Sequence, residues 1–212
     1  MATTTTTPKD FADLSDGFGI VTVMNAHIFE LQDATYTGQD KPLTKANFKD
    51  TGLFLDTLKI ANLTMEGPTK TVTGGQYSNP LIKYGKTMTM EAQDALGRFE
   101  VLERFFGCDW DKTNNIISVT DRFPGAFAIE GDTFFIDQAS GEQVDVHIFI
   151  PQFIPDGILN LTQDAEGDAT VFDLNGSVSV TRIAETADEA DKGSKVFYQI
   201  RKERFCTLQK SE

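Results

Sequence analysis

The fold is decided by residues 53–106, which read LFLDTLKIANLTMEGPTKTVTGGQYSNPLIKYGKTMTMEAQDALGRFEVLERFF. Leu53–Glu66 is rich in Leu, Ile and Thr with a period near two, which predicts one long strand. Gly67–Asn79 is rich in Gly, Pro, Thr and Ser, which predicts a loop. Leu81–Gln93 alternates Met with Thr and Glu, which predicts a second strand. The stretch should therefore form a hairpin of two long strands with a protruding loop.

A short amphipathic helix is expected after this hairpin, at Gly97–Phe106. Its apolar positions recur at spacings of three and four residues and are Phe99, Leu102 and Phe106. Asp94 is predicted as an N-terminal cap or first-turn anion, and Gly107 as the C-terminal stop.

The first predicted strand contains one conflict of alternation. Leu58 and Ile60 share parity with three polar residues further along, which are Asn62, Thr64 and Glu66. A β-bulge near Ala61 would bring the two halves into agreement.

Further strand-like segments follow along the rest of the chain. They are Gly17–Leu31, Ile116–Thr120, Ala126–Glu130, Thr133–Asp137, Gln143–Ile150, Ile158–Gln163, Thr170–Leu174, Ser177–Ile183 and Lys195–Lys202. Val144, Val146, Ile148 and Ile150 alternate most cleanly and should face a core. So many strands with one helix predict a mainly β chain, folded as an antiparallel β-sandwich or barrel with one short α-helix.

The connections between these strands carry their own signals. Ser140-Gly141 and Asn175-Gly176 predict hairpin turns, and Cys108–Asn115 predicts a turn region. Pro151 and Pro155 should turn the chain or place it at a sheet edge. Asp33–Thr51 is predicted to be a surface loop with one helical turn at Leu43–Phe48.

Length and composition favour one β domain at 16–202, between a flexible N-terminal arm at 1–15 and a C-terminal tail at 203–212. Seventeen Phe, against one Trp and four Tyr, suit the interior of packed sheets. The formal charge of −13 argues against a nucleic-acid-binding face, which needs basic residues. It is compatible with a surface past which DNA slides, because like charges repel.

The sequence contains no leader-like or membrane-spanning segment, since Met1–Pro8 is Thr-rich and every apolar run is short. Cys108 and Cys206 are far apart and are expected to be reduced thiols. His27 and His147 lie within predicted strands, where a core or subunit-contact histidine is expected rather than a metal ligand. We therefore expect no metal and no cofactor.

The sequence contains two weaker chemical signals. Residues 109–115, DWDKTNN, imitate the start of a calcium loop, but Asn114 stands where the loop needs Gly and Thr120 where it needs Glu. Asp145, or Asp164 with Glu166, could be named as an acid and base pair, but nothing distinguishes them from other carboxylates. The sequence therefore predicts no catalytic residue and no enzyme.

The hairpin region resembles the tail tube (major tail) proteins of long-tailed bacteriophages. The likeness is carried by residues 74–85, GGQYSNPLIKYG, and by residues 90–97, MEAQDALG. The resemblance implies a virion structural protein, made in the host cytoplasm, whose strands complete an inner β-barrel across subunits. Six copies would form a ring, and stacked rings would form the tube that conducts DNA without sequence-specific binding. Expected partners are other copies of the chain, the tape measure protein and the tail tip or terminator proteins. No association with a membrane is expected.

Carried over to this chain, the resemblance places the channel-lining strands near Asp56–Glu66, Lys86–Asp94, Gln143–Ile150 and Ile158–Gln163. The predicted channel-lining residues are Asn62, Thr64, Glu66, Thr89, Glu91, Gln93, Asp145, Asn160 and Thr162. The predicted inter-ring loop consists of Gly74, Gly75, Gln76, Tyr77, Ser78 and Asn79. Lys59 and Lys86 add positive charge to an otherwise acidic channel. The same polar residues could instead be the wet face of an isolated sandwich.

A different function remains open at this point. A β-sandwich that recognises carbohydrate on a phage or bacterial surface would need exposed aromatic side chains in a shallow groove. Trp110 and Tyr77 are the candidates, although they lie far apart in the sequence.

Overall fold

The structure is a computed structural model, and it describes residues 18–20, 24–32, 41–55, 58–67, 69–71, 81–83, 85–94, 98–138, 141–159, 172–185 and 193–208. Its strands are β1 (Phe18–Ile20), β2 (Met24–Leu31), β3 (Phe48–Leu55), β4 (Leu58–Glu66), β5 (Thr69–Thr71), β6 (Leu81–Lys83), β7 (Thr87–Asp94), β8 (Asp109–Asp111), β9 (Ile116–Ser118), β10 (Phe127–Asp137), β11 (Gln143–Pro155), β12 (Phe172–Asp173), β13 (Gly176–Val178), β14 (Thr181–Ile183), β15 (Ser194–Val196) and β16 (Gln199–Arg201). Helix α1 is Phe99–Phe106, and a 3₁₀ turn occupies Lys45–Asn47. The mainly β prediction is confirmed.

One large antiparallel sheet dominates the molecule and curls into a half-barrel. Across the sheet the strands are in the order β4, β7, β13, β11, β10, β2 and β3. β12 also pairs with β7, in the same register as β13. β1 also pairs with β10, and β16 with β11. Three two-stranded sheets, β5–β6, β8–β9 and β14–β15, lie beside it. Among the described strands, β4 and β3 therefore form the two edges of the large sheet.

Two phenylalanine-rich cores lie on opposite faces of the large sheet. Neighbouring residues of a strand point to opposite faces, and Ile148 belongs to one core while Phe149 belongs to the other. Phe127 and Phe153 pack in the first core, where their ring centroids are 5.4 Å apart. In the second core the rings of Phe149 and Phe205 stack at 4.6 Å. The high phenylalanine content therefore fills both sides of one sheet.

Helix α1 covers the first core, with Val101, Phe105 and Phe106 buried. Phe99 of the predicted apolar stripe is instead 46% exposed. Gly107 ends the helix in the left-handed conformation, as predicted. The predicted cap was wrong, because Asp94 lies in β7 and the residue at the N-cap is Arg98.

The predicted long strand at 53–66 is divided between two neighbours in the sequence that pair differently. β3 ends at Leu55 and pairs with β2, whereas β4 begins at Leu58 and pairs with β7. The predicted loop at 67–79 is also shorter than expected, because Thr69–Thr71 pairs with Leu81–Lys83. Most of the rest of that loop, including the whole predicted inter-ring segment at 74–79, lies outside the described residues.

Two predicted breaks in the sheet were wrong. β10 continues through Gly131, because the irregularity is taken up in β2, where Asn25 has a positive φ of 52°. β11 continues through Pro151, which has no N–H to donate. Pro151 falls where the pairing of β11 with β10 shifts register, between Ile150 and Phe153, and also between the parts of β11 that pair with β16 and β13. A residue without an N–H group is tolerated at such an irregularity. The core-facing prediction for Val144, Val146, Ile148 and Ile150 agrees with their burial.

The hairpin predicted at Asn175-Gly176 was also wrong. β12 and β13 pair in one continuous register with β7, from Phe172 opposite Asp94 to Val178 opposite Met88. Gly176 serves close packing rather than a turn: a Cβ there would lie 2.4 Å from the Ile154 carbonyl oxygen and 2.5 Å from the Phe153 ring. The predicted turn at 108–115 likewise contains β8, whose partner is β9.

The predicted surface loop at 33–51 and the predicted tail at 203–212 both differ from the structure. Thr51 belongs to β3, so the predicted surface loop at 33–51 ends earlier, while its predicted helical turn agrees with the 3₁₀ turn at Lys45–Asn47. In the predicted tail at 203–212, Phe205 is fully buried in the second core. The predicted arm at 1–15 lies outside the described residues.

Candidate functional site

The predicted channel-lining residues on β4 and β7 lie on one face of a ladder. Asn62 is opposite Glu91 and Thr64 is opposite Thr89, and all four are exposed. Glu66 is also exposed, opposite Thr87. On the reverse face Met88, Met90 and Ala92 belong to the first core. We call this exposed face, with its continuation onto β13 and β11, the polar face.

A β-bulge helps to set this sidedness. The register shifts between Leu58 and Ile60, where β4 uses one more residue than β7. Leu58 is opposite Asp94 and Ile60 is opposite Gln93. The bulge predicted near Ala61 is therefore present slightly earlier, between Leu58 and Ile60.

The polar face continues across the sheet through paired residues. Thr64 pairs with Thr89, Thr89 with Ser177, and Ser177 with Ile154. Ile154 is 37% exposed and adds the apolar end of this row. The row therefore spans four strands, beginning at the open edge strand β4.

Asp145 does not lie near the row of the polar face that ends at Ile154. Asp145 is exposed on β11 and opposite Phe134. At about 3.3 Å per residue, it lies about 30 Å along the strand from Ile154. Asn160 and Thr162 lie outside the described residues.

A shallow hollow of about 360 Å³ opens on the polar face, lined by Asn62, Glu91, Ala92, Gln93, Asp173 and Asn175. The Gln93 side-chain amide donates to Asp173 Oδ1 at 2.9 Å. Asp173 and Asn175 were missed from sequence because the Asn-Gly pair suggested a hairpin that would have turned them away. The hollow is therefore lined mainly by carboxylate and amide side chains.

The two histidines and the two cysteines have structural surroundings rather than the arrangement of a reactive site. His147 Nδ1 lies 2.8 Å from Asp132 Oδ1, and Asp132 also pairs with Arg204. Burial is the main cause that lowers the pKa of His27. Burial raises the pKa of the Cys108 and Cys206 thiols, which are both buried. Within the described ranges no cluster of three or more His, Cys, Asp or Glu side chains is arranged to hold a metal ion.

Asp111 of the calcium-loop candidate and Trp110 of the carbohydrate candidate both make contacts within their own part of the chain. Asp111 accepts hydrogen bonds from the Thr113 and Asn114 backbone N–H groups, so it closes the β8–β9 turn. The hydrogen bond from the Asn114 side chain, followed by these two backbone bonds, lowers the pKa of Asp111. Trp110 packs against Phe99 at 4.8 Å between ring centroids, with Lys112 Nζ 4.5 Å from its ring centroid. Tyr77 lies outside the described residues.

One buried polar group fastens the C-terminal segment to the sheet. Glu130 is fully buried and accepts hydrogen bonds from the Phe205 and Cys206 N–H groups at 2.6 and 3.1 Å. Burial raises the pKa of Glu130, and the two N–H donors oppose that shift. The carboxylate thus holds Phe205 in the second core.

Glu130→Gln should reduce the free energy of unfolding by about 1–3 kcal/mol, because one of the two buried N–H groups loses its acceptor. A raised folded-state pKa means that the folded protein binds the proton more tightly. Protonation of Glu130 therefore favours the folded state. Its contribution to the free energy of unfolding is full below the unfolded pKa of Glu130 and is lost as pH rises through the folded pKa. Urea unfolding across this pH window should show that decline in the wild type and less of it in the variant. The exposed Glu103→Gln is the control, and an unchanged pH slope in Glu130→Gln would contradict the assignment.

One comparison with known proteins matches the second half of the chain. Residues 110–198 match the YomU/Tube protein family. This is a family of phage tube-like structural proteins, and the match confirms the resemblance to tail tube proteins. No curated protein matches the chain. The YomU/Tube match includes β8 from Trp110 onward, β9 to β14, and β15, and so includes two of the four strands that carry the polar face.

No helix in the described part of the chain has the length and apolar character to cross a membrane.

Proposed function

We propose that this chain is a non-enzymatic structural subunit of a phage tail tube. Six copies form a ring, rings stack into the tube, and the polar face lines a channel that conducts DNA into the host. The tape measure protein occupies the channel before ejection, and tip and terminator proteins close the tube ends. Such a protein resides in the virion after synthesis in the host cytoplasm.

The observation that carries this proposal is the position of the polar face on an open edge. Among the described strands β4 pairs only with β7, so no described strand occupies its outer edge. Exposed edges invite pairing with another chain, and closing a barrel removes them. β3, at the other end of the strand order, is the second edge strand among the described strands. Pairing between copies would extend the sheet while keeping Asn62, Thr64 and Glu66 on one continuous surface.

The charge of the polar face supports passage of DNA rather than retention. Glu66 and Glu91 are exposed on it, and Asp173 lines its hollow. Carboxylates repeated around a ring repel phosphates at distances up to about a Debye length, roughly 8 Å at physiological salt. A DNA duplex would therefore move along the wall without sticking to it.

The test is assembly of the full chain, followed by sedimentation velocity and electron microscopy over increasing concentration. Purified tail tip complexes are added as seeds in a parallel series, since an edge-to-edge polymer needs a nucleus. Rings or hollow tubes are the expected result. A compact monomer that persists at high concentration with seeds present would overturn the proposal.

A further inference from the structure

A small sheet on the second-core side of the molecule presents an unusual pair of positive charges. β14 and β15 pair so that Arg182 stands directly opposite Lys195. Thr181 and Ile183 on either side of Arg182 are buried, so Arg182 and Lys195 share the outward face. The backbone at Leu43 holds β14 from its other side, since Leu43 N–H donates to the Arg182 carbonyl at 2.8 Å. We call Arg182 and Lys195 the cation pair.

Within the described residues, the cation pair has no negative partner. Like charges directly opposite each other on neighbouring strands are destabilising. Arg182 Nε is buried without a hydrogen bond, and neither residue forms an ion pair within the part of the chain that the structure describes. Glu185, which follows β14, is engaged by Arg201 at 2.6 Å, and Asp188, Glu189 and Asp191 between β14 and β15 lie outside the described residues. An additional carboxylate would satisfy both cations.

We propose that the cation pair binds a carboxylate-bearing surface on a second copy of this chain. The chain has 32 acidic and 19 basic residues, so its copies repel one another unless a positive site meets an acidic one. Two cations on a rigid hydrogen-bonded sheet provide such a site, and charge complementarity of this kind fixes how two surfaces dock. This inference rests on the proposed function, in which copies of the chain assemble.

Zero-length carbodiimide cross-linking tests the contact directly, because it joins a lysine amine to a carboxylate only at salt-bridge distance. Assembled protein is prepared from equal parts of ¹⁴N- and ¹⁵N-labelled chain and analysed by mass spectrometry. Cross-links from Lys195 to an Asp or Glu of the other isotope are expected. Assemblies that give only same-isotope cross-links at Lys195, or none, would overturn the inference and leave the proposed function standing. A chain that never assembles would overturn both.

Charge reversal supplies a second readout. Arg182→Glu with Lys195→Glu should raise the critical concentration for assembly about tenfold or more at low salt, and the difference should shrink as salt screens the contact. Lys112→Glu with Arg122→Glu changes the net charge equally at exposed positions away from both proposed edges and is the matched control. An equal effect of the control would contradict a specific contact. A DNA oligonucleotide that binds the wild type and not the reversed variant would reassign the cation pair to phosphate and overturn the inference.

Discussion

Gly176→Ala should lower the free energy of unfolding by about 3 kcal/mol or more, the upper range for overpacking a core. A Cβ at this position would lie 2.4 Å from the Ile154 carbonyl oxygen, which is backbone of the central strand β11. It would also lie 2.5 Å from the buried ring of Phe153. Neither atom can move without disturbing the ladder between β11 and β13. Chemical denaturation monitored by tryptophan fluorescence and circular dichroism measures the effect.

Gly85→Ala is the matched control for this substitution. A Cβ at Gly85 has no heavy atom within 4 Å, and the residue is exposed. Its effect should stay within about 0.5 kcal/mol. If Gly176→Ala were equally mild, the close approach of β13 to β11 would be wrong, and with it the four-strand polar face.

Met65→Lys should strongly weaken assembly while leaving the subunit folded. Met65 lies on the open edge strand β4, on the side opposite to the polar face, and is 44% exposed. A half-exposed position tolerates lysine in the isolated subunit, because the ammonium group can reach water. Pairing with a second copy would bury that charge, and charged residues on an edge are known to block strand addition. We expect the critical concentration to rise more than about tenfold, equivalent to at least about 1.4 kcal/mol.

Sedimentation velocity and electron microscopy measure this effect, with unfolding curves recorded in parallel. Thr113→Lys places the same charge in the exposed β8–β9 turn and should leave assembly nearly unchanged. Tubes that form as readily from Met65→Lys as from wild type would show that the edge of β4 does not join the copies.

The sequence predicted the strand-rich fold and the sidedness of β4 and β7 because alternation is a local property. Met88 and Met90 alternate with Thr89 and Glu91, and the structure buries the first pair and exposes the second. The bulge that β4 needed was also foreseeable, because the sequence itself contained a parity conflict. Its position depends on pairing with β7 and could not be read from β4 alone.

Tertiary contacts decided the places where local signals failed. Asn175-Gly176 carries a strong turn signal, yet Gly176 is extended because β13 must lie against Phe153. Pro151 suggested a strand end, but it lies at the register shift between β11 and β10, where a proline is tolerated. Asp173 and the cation pair were missed for the same reason, since their neighbours are distant in sequence. Non-local pairing of this kind has no signature in a single strand.

The central claim is that the polar face becomes the inner wall of a tube, and cysteine accessibility tests it most directly. Thr89→Cys places a thiol on the exposed polar face, while the natural thiols of Cys108 and Cys206 are buried. Subunits and assembled tubes are treated with a small maleimide and with a maleimide attached to a protein too large to enter a DNA-wide channel. The account predicts that both reagents label the subunit and that only the small one labels the tube. Equal labelling of the tube by the large reagent would place this face outside and contradict the account.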